Sequence, residues 1–302
     1  MGKIAFVFSG QGAQHPGMAK DFYDTNERVK SLFDEADAVR PGTLSQLFDS
    51  EAEVLKQTEN TQPCLYLADL AAAIALEDAG IKAEAVAGFS LGEIPALSFA
   101  GAVSYLDGFR IACQRGKAMA EASKSVDASM LAVLKMENEE IETLCQNYER
   151  VYPVNYNCHG QLVVSGLKEE LAKFKEDIKN AGGRAVELNV SGGFHSPFMD
   201  PAAKEFSRVL DDFEIGETKI PVYSNYTGNI YEGNAKALML NQINHPVKWE
   251  QIIKSMIASG FDTFIEAGVG NVLQKLITKI SREVKSFQCE TPADIEAIVK
   301  EL

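Results

Sequence analysis

The stretch Ala-Val-Ala-Gly-Phe-Ser-Leu-Gly-Glu at 85–93 constrains this chain more than any other. An apolar run breaks on Gly88, Ser90 stands between Gly88 and Gly92, and an Ile/Ala/Leu-rich segment continues to Gly101 as a helix. G-x-S-x-G between a strand and a helix implies a corner so sharp that a side chain two residues either side of the serine collides with neighbouring backbone. Such a corner lifts the Ser90 hydroxyl above a sheet edge and turns the Leu91 N–H toward the same spot. A first-turn N–H has no partner inside its helix, so it is open to an oxyanion. The plainer alternative is a serine that caps a helix in a glycine-rich turn.

The segments around it alternate in the way a parallel α/β sheet requires. Lys-Ile-Ala-Phe-Val-Phe (3–8) reads as a buried strand running into a Gly10/Gly12 loop, and 61–80 as an Ala/Leu-rich helix stopped by Gly80. The rhythm changes at about 126. Strand 129–134, helix 137–148, strands 151–157 and 161–166 around a tight turn, helix 168–182 and strand 184–190 make a βαββαβ, ferredoxin-like unit. This places a small subdomain at 126–190, inserted between 1–125 and 191–302 of the large α/β subdomain. Beyond it, helix 196–213, strand 220–225, helix 247–260, strand 262–268 and helix 271–285 resume the alternation.

Composition narrows the function classes. The 302 residues carry a net charge of −14, which argues against generic nucleic-acid or anionic-membrane binding. The early apolar run at 4–8 is too short for a signal segment or a membrane span. Five scattered cysteines without a CxxC pair point to free thiols in a reducing cytoplasm, and against zinc or a disulfide frame.

A serine hydroxyl needs a base, and there are four histidines. His15, His159 and His245 sit in loop contexts that suit solvated roles. His195 directly precedes Ser196 and Pro197, a good N-cap and first helical residue, so it lies at a helix N-terminus whose positive end would keep the imidazole neutral. Taken alone it could as well be structural; beside an elbow serine it is the candidate base. With no HGGG-type loop present, the Gly-rich segment after the first strand is the natural second oxyanion donor, through the N–H of Gln11. That segment makes a poor nucleotide loop, since it has no third glycine and no acidic ribose partner. On the 108–122 helix, Arg115 stands among small and apolar neighbours, and Gly116 beside it suggests a close approach. Arg115 either pairs with an internal carboxylate or is kept for a carboxylate of the ligand.

Together these residues make up a family pattern. The chain resembles the malonyl-CoA:acyl carrier protein transacylases and, more broadly, the acyltransferase domains of fatty-acid and polyketide synthases. The resemblance spans nearly the whole length through FVFSGQGAQHPGM, GFSLGE, CQRGKAM, SML, NYNCHGQLVVSG, GFHSPFM, PVYSN, NQINHPVKW and EAGVGNVL. It implies a hydrolase-like α/β core with a ferredoxin-like insert and a site in the cleft between them. It also implies a ping-pong cycle: Ser90 takes malonyl from malonyl-CoA, His195 acts as base and then acid, and the acyl group passes to the phosphopantetheine thiol of an acyl carrier protein. Arg115 would clamp the malonyl carboxylate, Gln11 and Leu91 would form the oxyanion hole, and the Gln242 carbonyl would orient the histidine. No metal and no cofactor beyond these substrates is expected, and the resemblance suggests a monomer supplying fatty-acid synthesis.

Two positions depart from the resembled pattern. Phe89 stands where histidine usually precedes the nucleophile, leaving selectivity over alkylmalonyl groups open. Gly268-Val269-Gly270 replaces the usual Gly-Pro-Gly. Because CoA and acyl carrier proteins are anionic, Lys275, Lys279 and Arg282, at helical spacing, are a candidate docking stripe; a solvated helix face is the bland reading. Polyketide supply, and a thioesterase that delivers the acyl group to water, are the other functional readings. A carrier-binding scaffold without catalysis is the reading from another class.

Overall fold

The computed structural model describes residues 2–302. Its strands are β1 (Lys3–Phe8), β2 (Ala85–Gly88), β3 (Ala128–Leu134), β4 (Val151–Cys158), β5 (Gln161–Leu167), β6 (Arg184–Glu187), β7 (Val222–Tyr223), β8 (Phe261–Ala267) and β9 (Lys285–Cys289). They form two sheets. One is parallel throughout, in the order β7-β2-β1-β8-β9; the other is antiparallel throughout, in the order β4-β5-β3-β6.

The continuous apolar run of β1 follows from burial on both faces, as parallel sheets require. Phe6 and Phe8 enter the core beneath the helix Thr58–Asp78, while Ala5 and Val7 meet the helices Trp249–Ala258 and Val272–Ile280. The Thr58 helix is apolar on nearly every side because it is buried almost throughout its middle. The antiparallel sheet draws all its strands from residues 128–187 and packs one face on the helices Asn138–Cys145 and Lys168–Asn180. Residues of its other face, among them Met130, Val154 and Val163, join the large core. A hydrolase-like parallel core with a small ferredoxin-like sheet is therefore the architecture.

Several edges differ from the sequence reading. The helix expected over 271–285 ends at Ile280, where Ser281 turns extended (φ −146°, ψ 130°), and the chain returns as the edge strand β9. Side-by-side pairing of Phe264–Ala267 with Ser286–Cys289 outweighs the local helical pattern there. β7 keeps two residues of the six expected and β6 four of seven. The helices Glu27–Val39, Ala235–Asn244 and Pro292–Glu301 had no sequence counterpart. No helix among the described residues is long and apolar enough to cross a membrane.

Candidate active site

The corner after β2 is as tight as its glycines suggest. A Cβ on Gly88 would lie 1.9 Å from the Gly92 carbonyl carbon, and one on Gly92 would lie 2.3 Å from the Phe8 oxygen. Ser90 itself has φ 54°, in the left-handed region that costs an L-residue roughly 1–2 kcal/mol. Asn225, just beyond β7, holds the corner in place. Its Oδ1 accepts the Ser90 N–H at 2.7 Å, its Nδ2 donates to the Gly88 carbonyl at 2.6 Å, and its own N–H donates to Glu93 Oε2 at 2.6 Å. Tyr231 donates its hydroxyl to the other Glu93 oxygen. Burial, only partly offset by these hydrogen bonds, pushes the Glu93 carboxyl up to about 7.

The Ser90 N–H is thereby engaged, whereas the N–H groups of Leu91 and Gln11 have no hydrogen bond within the described residues. These are the two donors named from the sequence. The Gln11 side chain turns aside to Thr58 Oγ1 at 3.2 Å.

Folding brings His195, 105 positions along the chain, to Ser90: Nε2 lies 2.7 Å from the serine Oγ. Its Nδ1 lies 2.8 Å from the Gln242 carbonyl. A carbonyl only accepts, so Nδ1 carries the proton and Nε2 is left as the acceptor facing the hydroxyl. Ser196 caps the following turn by accepting the Phe198 N–H, with Pro197 at its start. His195 is buried, and its imidazole is pushed down to about 3. Burial is the first cause and the Arg115 cation the second, so neutrality has a different origin from the helix end inferred from the sequence.

Arg115 projects from the helix Tyr105–Lys124 and is 1% exposed. Gly116 lets that helix approach the Thr58 helix until a Cβ would stand 3.0 Å from the Thr58 carbonyl. That contact brings Gln62 to the guanidinium. Arg115 Nη1 donates to Gln62 Oε1 at 2.8 Å; Nη2 donates to Gln242 Oε1 at 2.7 Å and to Ser90 Oγ at 3.2 Å. Its Nε is buried and unpartnered, and no carboxylate pairs with it among the described residues. Of the two sequence readings, the internal ion pair is not formed.

Gln242 does more than the sequence assigned to it. Besides its carbonyl contact with His195, its side chain joins Arg115 and donates to the Ser90 carbonyl at 2.6 Å. Asn225, Glu93 and Gln62 were missed. Glu93, an acid in the first helical turn directly after the elbow, carried a readable signal; the other two gave none.

Phe89 is half-buried against Trp249, ring centroids 5.6 Å apart, and lines a cleft of about 240 Å³ between the Gly10–Gly12 loop and the antiparallel sheet. Val272, Leu276, Asn155 and Asn157 line it too. A wider groove of about 500 Å³ beside Arg40 and Lys117 touches none of the residues around Ser90. Val269, at the altered glycine loop, is buried. Lys275 and Lys279 are exposed on the Val272 helix, and Lys279 Nζ reaches Gln161 Oε1, on the cleft wall, at 3.2 Å. Arg282 lies past the helix end, so the three cations do not form one helical stripe.

Comparison with known proteins gives one answer throughout. The acyl transferase domain family matches residues 5–295. The malonyl CoA-acyl carrier protein transacylase of Bacillus subtilis is 38% identical over 100% of this chain and 98% of its own length. The crystal structure of the Clostridium perfringens malonyl CoA-acyl carrier protein transacylase superposes with a TM-score of 0.96 at 36% identity, covering 99% of this chain and 96% of the other. A malonyl-transacylase in complex with its type II PKS acyl-carrier protein matches with a TM-score of 0.95 at 30% identity, covering 99% and 100%. With a serine elbow, an oriented histidine and an unpaired arginine at one point, and this likeness over its whole length, the chain belongs to the malonyl CoA-acyl carrier protein transacylases of the acyl transferase domain family.

Proposed function

We propose that this protein moves a malonyl group from malonyl-CoA to the phosphopantetheine thiol of an acyl carrier protein through an ester on Ser90, supplying extender units for fatty-acid synthesis. In the first half, Ser90 Oγ attacks the thioester carbon and its proton passes to His195 Nε2. The N–H groups of Gln11 and Leu91 receive the negative charge on the carbonyl oxygen. The C–S bond then breaks, and CoA leaves as a thiol with the proton returned by His195. In the second half the carrier thiol gives its proton to His195 and attacks the ester carbon, and Ser90 leaves with that proton. Arg115 holds the malonyl carboxylate, for which a planar guanidinium suits a two-point contact.

The observation that carries this reading is the buried Arg115 guanidinium, without a carboxylate partner and 3.2 Å from the nucleophile. Glu93 acts on this cation only through space, and a buried cation with no carboxylate in hydrogen-bond reach is costly unless a partner arrives. Incubation with malonyl-CoA followed by denaturation and intact-mass measurement should find one malonyl adduct per chain, and none in Ser90→Ala. An unlabelled wild-type chain, or a labelled Ser90→Ala, would overturn the assignment.

The carrier would dock at the outer lip of the cleft, where Lys275 and Lys279 stand on a helix that also supplies cleft wall. Each exposed charge contact contributes about 0.2–1 kcal/mol, so Lys275→Glu/Lys279→Glu should raise the carrier's KM about two- to thirtyfold and leave kcat unchanged. The increase should shrink in about 0.5 M salt. A KM equal to that of wild type removes these lysines from the docking surface. The five free cysteines, four of them buried, suit a reducing cytoplasmic setting.

A further inference from the structure

The mechanism leaves unused the only charged side chain in the middle of the Thr58 helix. Between Glu59 and Glu77 that helix carries just Asp69, which is 0% exposed. No cation pairs with it among the described residues. Carboxyl groups are seldom fully buried without such a pair, because desolvation opposes it.

Its partner is Ser9, which follows β1 and stands two residues before Gln11. Ser9 is buried, and its Oγ donates to Asp69 Oδ1 at 2.7 Å. Asp69 Oδ2 is buried with no hydrogen-bond partner. Burial pushes the Asp69 carboxyl well above the usual carboxylate range, against the pull of the Ser9 hydroxyl and N–H and with the Glu266 carboxyl adding to the rise. The group is thereby held toward its neutral form, which sets no negative charge behind a loop whose N–H receives an oxyanion.

The strand end that Asp69 grips lies directly on the serine corner. A Cβ on Gly92 would stand 2.7 Å from the Ser9 carbonyl oxygen, and one on Gly10 would stand 2.7 Å from the Phe89 oxygen. Gly268 (φ 134°), just past the neighbouring β8, comes so near that a Cβ there would meet Asp69 Oδ1 at 1.9 Å. The next fixed point along the loop is the Gln11 side chain on Thr58 Oγ1, and Thr58 opens the same helix. One helix therefore holds the loop on both sides of Gly10, and the backbone between the two holds carries the Gln11 N–H.

We infer that Asp69 is a positioning residue for the oxyanion hole: through the Ser9 hydroxyl it fixes the end of β1 against the serine corner and so sets where the Gln11 N–H points. The inference rests on the malonyl-transfer reading and adds to it a residue that touches no substrate.

The test follows Ser90 acylation by excess malonyl-CoA without carrier, by quench and intact mass, with rates taken per active site from the final adduct yield. That normalisation removes any loss of folded protein. A displacement of about 1 Å can cost about a hundredfold, and loss of an oxyanion donor about a hundred- to a thousandfold. Ser9→Ala and Asp69→Ala should therefore each lower the maximal rate about ten- to a hundredfold. The malonyl-CoA concentration at half-maximal rate should stay within about twofold of wild type, because binding contacts are untouched. The double variant should be no slower than the slower single one, since both remove one contact. Asp69→Asn keeps an oxygen that accepts from Ser9 and should stay within about threefold of wild type.

An unchanged maximal rate in Ser9→Ala, or a loss that falls on the half-maximal concentration instead, overturns the inference. So do losses that multiply in the double variant, or Asp69→Asn as slow as Ser9→Ala. Should Asp69→Ala fail to fold, Ser9→Ala and Asp69→Asn decide by themselves. All these outcomes leave malonyl transfer intact; a wild-type Ser90 that takes no malonyl removes the functional reading and the positioning role with it.

Discussion

His195→Ala is expected to slow malonylation of Ser90 by at least about a thousandfold, within the range that a positioned general base contributes. Quench-and-mass measurement of the adduct over time checks this, and a loss below about tenfold would mean that another group takes the serine proton. The wild-type pH profile should carry the mark of the same residue. An ordinary imidazole of pKa about 6.5 would be neutral in only about 3% of molecules at pH 5. Burial and Arg115 push His195 down to about 3, so the acylation rate should hold nearly level between pH 8 and 5. A rate that halves near pH 6.5 would contradict the buried, neutral imidazole. The linkage runs the other way for folding. The unfolded chain takes up a proton at this histidine below about 6.5 and the folded chain does not until about 3, so His195 costs stability as the pH falls through that window. His195→Ala should therefore melt closer to its neutral-pH temperature at pH 5 than wild type does.

Arg115→Ala carries the second large effect, on choice of substrate. Removing one partner of a buried ion pair costs about 3–5 kcal/mol, so malonyl transfer should fall by roughly two to four orders of magnitude. Acetyl-CoA has no carboxylate to place, and its turnover should stay level or rise. Arg115 also touches Ser90 and Gln242, so the malonyl-to-acetyl ratio is the quantity to read, because positional damage lowers both rates together. An unchanged ratio would release Arg115 from the clamp. The variant should also move the acid limb of the pH profile upward, because the cation that helps to hold the imidazole neutral is gone.

Phe89 is a milder departure than its position suggests. Its ring is half-buried against Trp249, and the elbow is held through backbone and Asn225 contacts that do not involve the Phe89 side chain. The hydrogen bonds that set the serine–histidine geometry thus make no use of the Phe89 side chain.

How much was legible in the chain can be judged from particular residues. The glycines at 88 and 92, the apolar strand before them and the Ser196-Pro197 cap after His195 are local signals, because backbone sterics and first-turn hydrogen bonding act over a few neighbouring residues. They located the elbow, the candidate base and the strand–helix alternation of both sheets. Local pattern failed where partners distant in sequence decide the outcome. The 281–289 segment became a break and an edge strand because β8 was there to pair with, which took Arg282 off the helix. The same holds inside the site: Asn225, Gln62 and the Gln242 side chain carry no signature of their own, and their amides matter only because three separate helices meet around one buried guanidinium and a strand end meets the serine corner beside it. The chain by itself determined which residues can do the chemistry. Tertiary packing alone decided their charge states and spacing, because burial and hydrogen-bond distance are properties of the assembled core.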